Sequence, residues 1–425
     1  MRGCGIRGHG VRSLRSAAIA SAVTVSSAVT ATGITTTAQP YRPRPVRPGG
    51  APSGSLGGPL DTPFGTHRPP HPPLPGREHR MKIGLIGTGR IGAFHAATLQ
   101  NVPGVTGLVV ADADSARAAA LADSLGVRAA GSIEEMYAQG PDAVVITAAT
   151  SAHAALIHQA LDAGVPVFCE KPVALDVPGT VEVVARAEAG SVPVQIGFQR
   201  RFDAGYRAAR EALRSGELGW VHTLRACTSD RTPPPAAFIP TSGGLFRDCS
   251  IHDFDILRWL TGREVVSVYA QGANRGADFF TEGGDVDTCA ALLRFDDDSL
   301  ATVTATRYNG AGHDVRLEVC GSQGARFVGL DDRAPLPSAE PKLSWQRADA
   351  PYATFMERFH DAYVTELGVF VQVAAGRTPS PCSPAEALEA LYVAEACERS
   401  RRTGQPVAVA EVRAGAGNGG SVPGA

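Results

Sequence analysis

Lysine is rare in this chain. Three occur among 40 basic residues, and one of them lies in Glu170-Lys171-Pro172. Arginine keeps its proton at every accessible pH, whereas an ammonium is a compact charge with three rotatable donors and a proton that can move. A lysine kept where the chain otherwise uses arginine therefore points to chemistry at that position. A second group lies further on, in Asp248-Cys-Ser-Ile-His252-Asp-Phe-Asp255. Ile251, Phe254, Leu257 and Leu260 recur every third residue as an apolar helical stripe, which puts Asp248, His252 and Asp255, at i, i+4 and i+7, on a different face. A carboxylate one turn from an imidazole orients the ring, fixes its tautomer and raises its basicity, which makes a proton acceptor tuned to neutral pH. The same spacing also fits a solvated charged face with Asp248 as an N-cap. The presence of Lys171 favours the catalytic alternative once the scaffold that follows is taken with it.

Residues 82–197 supply the scaffold. Lys82–Gly87 is a short apolar run, followed by the turn Gly87-Thr-Gly89-Arg90-Ile91-Gly92 and a helical stretch to about Gln100. Gly87 permits the tight turn, Gly89 lets a phosphate approach, and Gly92 lets helix and strand pack closely, with a pyrophosphate at the helix N-terminus. A second apolar run, Leu108–Ala111, ends at Asp112, 20 residues past Gly92. Asp112 is placed to accept from the adenosine ribose hydroxyls and to repel a 2′-phosphate, favouring NAD over NADP. The alternative is that it caps the next helix, a role Asp114 or Ser115 could fill instead. Helical patterns at 115–125, 152–163 and 177–189 alternate with apolar runs at 143–146, 165–169 and 192–197, and Ser132-Ile-Glu-Glu135 forms a capping box. This alternation predicts an α/β fold with a doubly wound parallel sheet, whose ligand lies at the carboxyl ends of the strands. Lys171 and the segment Thr147–His153 lie at such ends. For His153 the alternative is a solvent-facing residue of a helix's first turn.

Composition narrows the function. Residues 1–80 hold ten Arg, no Lys and two acidic residues, while residues 81–425 hold 30 basic and 40 acidic residues, so the latter part has no general attraction for nucleic acid. Eight cysteines without a CxxC pair argue against a zinc ribbon or a disulfide framework, and for reduced thiols in a cytoplasmic enzyme with no metal. The first 80 residues carry 12 of the 31 prolines and no helical or strand period, and they read as a disordered leader. Residues 17–38 are uncharged and follow four arginines, loosely imitating an export signal, but they are too polar for a membrane span. Alternatively, translation begins at Met81.

With Gly-Thr-Gly-Arg-Ile-Gly (87–92), Glu-Lys-Pro (170–172), Gly-Phe-Gln-Arg-Arg-Phe-Asp (197–203) and the Asp248–Asp255 segment, the chain resembles the Gfo/Idh/MocA oxidoreductases from about 81 to 410, and among them the inositol 2-dehydrogenases. The resemblance implies an NAD-binding Rossmann domain over 81–200. It also implies a second α/β domain over 201–410, with a large, mainly antiparallel sheet that often serves as an oligomer interface, so a homodimer or homotetramer is expected. Residues 411–425 are expected to be a flexible tail. Lys171, Asp248 and His252 map onto the family's catalytic set. His252 would take the proton of a secondary alcohol of a cyclitol or sugar while hydride passes to NAD, and Lys171 would steady the oxygen. Arg200 is a candidate hydroxyl contact and Arg201 a structural residue. Gly87, Gly89, Arg90, Ile91, Gly92, Asp112, Thr147, His153 and Glu170 are the candidate cofactor residues. Gln199, the absence of His and Asn near Thr228–Asp230, and His313 where an aromatic is common depart from the inositol pattern and leave the polyol open. A sugar oxidoreductase, a dihydrodiol dehydrogenase and a non-catalytic dinucleotide-binding regulator are the competing readings.

Overall fold

The computed structural model describes residues 80–340 and 348–417; the expected leader lies outside them. The first layer alternates strand and helix: β1 (Met81–Ile86), α1 (Arg90–Leu99), β2 (Val105–Ala111), α2 (Ser115–Leu125), β3 (Arg128–Ala129), α3 (Ile133–Ala138), β4 (Ala143–Ile146), α4 (Thr150–Asp162), β5 (Val167–Glu170), α5 (Val177–Ala189) and β6 (Val194–Gly197). Every neighbouring pair of strands is parallel, in the order β3-β2-β1-β4-β5-β6. Strands covered on both faces need apolar residues at successive positions rather than alternate ones, and Ala143–Ile146 are buried throughout. On one face Ile83, Leu85, Val110, Val145 and Phe168 pack with Ala96 and Leu99 of α1. On the other, Val109, Val144, Ile146 and Val167 pack with Ile157 of α4 and Val183 of α5.

Helix ends follow local chemistry. Asp114 caps α2 by accepting from the Ala116 and Arg117 amides, and Gly126 closes it at φ +65°. Ser132 caps α3 as expected by accepting from the Glu135 amide, but the Glu135 carboxylate accepts from the Gly131 amide, one residue before the cap, rather than closing the capping box on Ser132.

A 3-10 turn (Gln199–Phe202) leads to α6 (Ala204–Arg214) and β7 (Val221–Ser229), then a π-helical turn (Phe246–Ser250) runs into α7 (Ile251–Thr261). There follow β8 (Val265–Ala273), α8 (Phe279–Glu282), β9 (Thr288–Phe295), β10 (Leu300–Thr306), β11 (Asp314–Gly321) and β12 (Ala325–Val328). Last come α9 (Phe355–Arg358), α10 (His360–Ala374), α11 (Pro384–Thr403), β13 (Val407–Ala408) and α12 (Val409–Gly417). The seven-stranded sheet has the order β12-β11-β7-β10-β9-β8-β13 and is antiparallel except at β10–β7. All four residues of the apolar stripe, Ile251, Phe254, Leu257 and Leu260, are buried.

α10 packs on α1 and on the 3-10 turn, and α11 packs on α5 and β6 and on α7 and β8, so α11 bridges the two sheets. Of the tail expected over 411–425, residues 411–417 are helical and the rest lies outside the described residues. Gly404 closes α11 in the left-handed conformation, Val407 and Ala408 pair with β8, and α12 runs to Gly417. Glycine-rich composition hid a short pairing strand and the buried Val407 and Val409 that anchor the segment. No described helix is long and apolar enough to cross a membrane.

Candidate active site

The glycine turn is built by main-chain contact. Gly87 has φ +96°, a region that residues with a side chain rarely adopt. A Cβ on Gly92 would lie 1.9 Å from the Gly87 carbonyl oxygen, whereas one on Gly89 would meet nothing within 4 Å. Arg90 and Ile91 open α1, whose N-terminus has no side-chain cap and no acidic residue in its first turn. Its amides and the positive end of the helix dipole are thus available to an anion. Ile91 packs on the core, and the Arg90 guanidinium lies 5.3 Å over the Phe355 ring. The Thr147 hydroxyl donates to the Gly87 carbonyl at 2.6 Å, pinning the turn to the end of β4.

Asp112 stands at the end of β2. One oxygen accepts from the Thr88 amide at 2.6 Å and the Thr88 hydroxyl at 2.9 Å, and the other accepts from the Asp114 amide at 2.9 Å. Burial pushes its pKa up, but these bonds and the Arg117 charge outweigh it, and the carboxyl titrates below its usual value. Capping of α2 falls to Asp114. A carboxylate has about four acceptor sites, so Asp112 keeps capacity for a further hydroxyl. The open space at Gly89, the uncapped helix and this free acceptor fit a bound dinucleotide.

Two expected cofactor residues have other partners. His153 is 2% exposed, not solvent-facing. Its Nδ1 lies 2.7 Å from the Pro172 carbonyl and its Nε2 3.0 Å from that of Ala148. Burial lowers its pKa, and a neutral ring donates through one nitrogen only. Its position therefore fastens α4 to the Lys171–Pro172 turn, where the peptide bond is cis. Glu170 meets His95 Nε2 at 2.7 Å, tying the end of β5 to α1. Sequence spacing gave no sign of this pair, which spans 75 residues.

Lys171 and Asp248 come together as expected, but the pairing within the group differs. Lys171 Nζ donates to the Asp248 carbonyl at 2.6 Å and to Oδ1 at 3.2 Å. Arg307 Nη2 donates to Oδ2 at 2.6 Å. Both carboxylate oxygens are therefore held by cations, and Asp248 does not orient His252. A neutral imidazole cannot outcompete two charged donors, and the chain at 246–250 is a π turn rather than the regular α-helix the spacing assumed. Burial pushes the Asp248 carboxyl up, yet the Lys171 and Arg307 charges bring it down to about 2. Asp255 is also diverted: Arg201 grips it through Nε at 2.9 Å and Nη2 at 2.5 Å, a structural pair as expected for Arg201.

His252 packs edge-on to Phe198, with ring centroids 5.6 Å apart, and its buried Nδ1 has no hydrogen-bond partner among the described residues. Burial, then the charges of Lys171 and Arg200, hold its pKa well below the usual value. The ring is thus neutral at pH 7 and able to accept a proton, and Lys171 is near enough to act on it electrostatically. Arg200, expected at a substrate hydroxyl, is 2% exposed. Its Nη1 pairs with Asp253 at 2.5 Å and its Nη2 donates to Thr228 Oγ1 at 2.8 Å. It lies beneath the site as a buried ion pair. Arg307, Asp230, Phe198 and Phe355 were not singled out from the sequence, and each reaches the site only through tertiary contacts. Among the described residues no group of three or more His, Cys, Asp or Glu could hold a metal ion.

Residues 81–198 match the model of the oxidoreductase family with an NAD-binding Rossmann fold, and residues 206–326 match the GFO/IDH/MocA C-terminal domain. The chain is similar to the myo-inositol dehydrogenase Hyg17 of Streptomyces leeuwenhoekii, at 39% identity over 77% of this chain and 100% of the relative. It is 36% identical to the scyllo-inositol 2-dehydrogenase (NAD(+)) of Bacillus subtilis, over 78% of this chain and 96% of that one. A crystal structure of scyllo-inositol dehydrogenase from Lactobacillus casei, with bound NAD(H) and scyllo-inositol, aligns with a TM-score of 0.69 at 28% identity, covering 78% of this chain and 99% of that one.

Proposed function

The chain belongs to the Gfo/Idh/MocA oxidoreductase family, and from that premise we propose that it oxidises a ring hydroxyl of an inositol to the ketone. When bound, NAD supplies the hydride acceptor. Gly87, Gly89, the first turn of α1 with Arg90 and Ile91, Gly92, Thr147 and Asp112 would hold it. Lys171 has two of its three N–H groups engaged by Asp248, which leaves one for the substrate oxygen. That N–H steadies the negative charge developing as the C–H bond breaks. His252, neutral and close enough to feel the Lys171 charge, takes the hydroxyl proton, so the C–H leaves as hydride to the bound acceptor, the O–H proton goes to the imidazole, and the C–O bond becomes a carbonyl.

The observation that carries this reading is that Lys171, just past β5, bonds Asp248 of the π turn while its charge also acts on His252 of α7. The inositol dehydrogenases among the relatives support the substrate class. NADH release with myo-inositol, scyllo-inositol and aldoses tests it. Turnover with an inositol should fall by roughly 10²-fold or more in Lys171→Ala and in His252→Ala, the scale of a positioned acid–base group. No NADH from any cyclitol would overturn the substrate. Wild-type turnover in either variant would remove that residue from the mechanism. Val266, Tyr269, Leu292 and Leu300 stand exposed on strands of the second sheet. They support a homo-oligomer formed through that sheet, which light scattering would test.

A further inference from the structure

We propose that Arg307 is a positioning residue for the reaction: it holds one oxygen of Asp248 and so keeps an N–H of Lys171 free for the substrate. The inference rests on the reading that Lys171 meets the reacting oxygen. Arg307 follows β10, 59 residues beyond Asp248, and its side chain is 4% exposed. It makes no contact with Lys171 in the hydrogen-bond network and acts through the carboxylate between them. Its Nη2 takes Asp248 Oδ2 at 2.6 Å, while Nη1 reaches Asp230 Oδ2 at 3.0 Å and Cys249 Sγ at 2.9 Å. Asp230 in turn faces His313 Nδ1 at 3.4 Å. The guanidinium is thereby fixed from two sides, one nitrogen on each carboxylate, and its planar fork sets where Asp248 Oδ2 sits relative to Asp230.

The distances show what this does. Lys171 makes its shorter bond to the Asp248 main-chain carbonyl and its longer one, 3.2 Å, to the side chain. The side-chain oxygen nearer a cation is the one on Arg307. Without the guanidinium, Asp248 could rotate to bring both oxygens onto the ammonium, and the N–H required by the substrate would be spent within the protein. Two cations and two carboxylates alternate along Lys171–Asp248–Arg307–Asp230, so loss of Arg307 also leaves Asp248 to the one lysine and Asp230 to His313 and the Cys249 thiol. Asp248 would then protonate at higher pH than it does now, since the Arg307 charge and hydrogen bond are among the interactions that hold it down.

The experiment compares full-length Arg307→Gln, Arg307→Lys and Lys171→Ala with the parent. It measures kcat and KM for the inositol across pH, NADH affinity by fluorescence, and active-site concentration by NADH titration. Arg307→Gln should lose roughly tenfold or more in kcat per active site, with NADH affinity within about twofold. The acid limb of its kcat profile should move to higher pH, and added guanidinium ion should restore part of the rate. Arg307→Lys keeps the charge without the fork, so it should lower kcat while leaving the acid limb near its parental position. Should Arg307→Gln fail to fold, the lysine variant decides. Parental kcat per active site and an unmoved acid limb in the folded variants, even with fewer active molecules, would mean Arg307 is only structural and would overturn the proposal. Parental turnover in Lys171→Ala would instead overturn the reading of Lys171 itself.

Discussion

Replacing Gly92 with alanine tests the cofactor side of the site with a magnitude read from the geometry. The new Cβ would sit 1.9 Å from the Gly87 carbonyl oxygen and 2.8 Å from Thr147 Oγ1. Contacts under 3.0 Å essentially do not occur for a real Cβ, so the turn and the helix must separate by about 1 Å, and the nearer atom is main chain that cannot swing aside. Overpacking of this kind costs about 1–3 kcal/mol, and a displacement of about 1 Å in a positioning element is worth roughly 10²-fold in rate. Gly92→Ala should therefore lower Tm, weaken NADH binding and reduce kcat/KM together. Gly89→Ala is the contrast: its methyl meets nothing within 4 Å, so Tm should hold while NADH affinity falls, because the methyl occupies the space a phosphate needs. The assay is a thermal melt with and without NADH, paired with fluorescence titration. Parental Tm and affinity in Gly92→Ala would refute the packing argument, and parental affinity in Gly89→Ala would move the phosphate elsewhere.

Asp112→Ser should narrow the preference for NAD over NADP by about tenfold or more, since one unit charge a few ångströms from a 2′-phosphate is worth about 1–4 kcal/mol; an unchanged ratio of kcat/KM values would leave Asp112 as a tether for Thr88 alone. Glu366 is 0% exposed, and burial followed by the Glu170 charge raises its pKa well above the usual value. Its contribution to stability is fully present below the unfolded value near ~4.3 and is lost as pH rises through the folded one. Glu366→Gln should therefore gain stability relative to the parent between pH ~5 and ~8, and parallel denaturation curves across that range would show a freely ionising carboxyl.

The first sheet was legible because each of its signals is local. The Gly87–Gly92 turn, the caps at Asp114 and Ser132 and the buried runs each depend on residues a few positions apart. Lys171 was found because its residue type is anomalous in an arginine-rich chain. Which residues cluster with it was partly readable, but which atoms pair was not. Helical spacing assigned Asp248 to His252, whereas Arg307, 59 residues away, and Lys171, 77 residues away, hold it in the structure. Long-range ion pairs leave no periodic trace, and the same limit hid the grip of His95 on Glu170 and the burial of Arg200 on Asp253. The two main-chain carbonyls that take up the nitrogens of His153, and the helix over 411–417, were hidden for a related reason, since neither a carbonyl partner nor a short glycine-rich helix leaves a periodic apolar signal.

Helix α11 runs 20 residues and touches α5 and β6 of the first layer and α7 and β8 of the second. The Ile196 amide bonds the Cys382 carbonyl just ahead of it. A brace spanning both layers resists hinge bending, because any opening would shear a buried helix along its whole length. A helix drawn from near the chain's end thus becomes the keystone that holds the two sheets in mutual alignment.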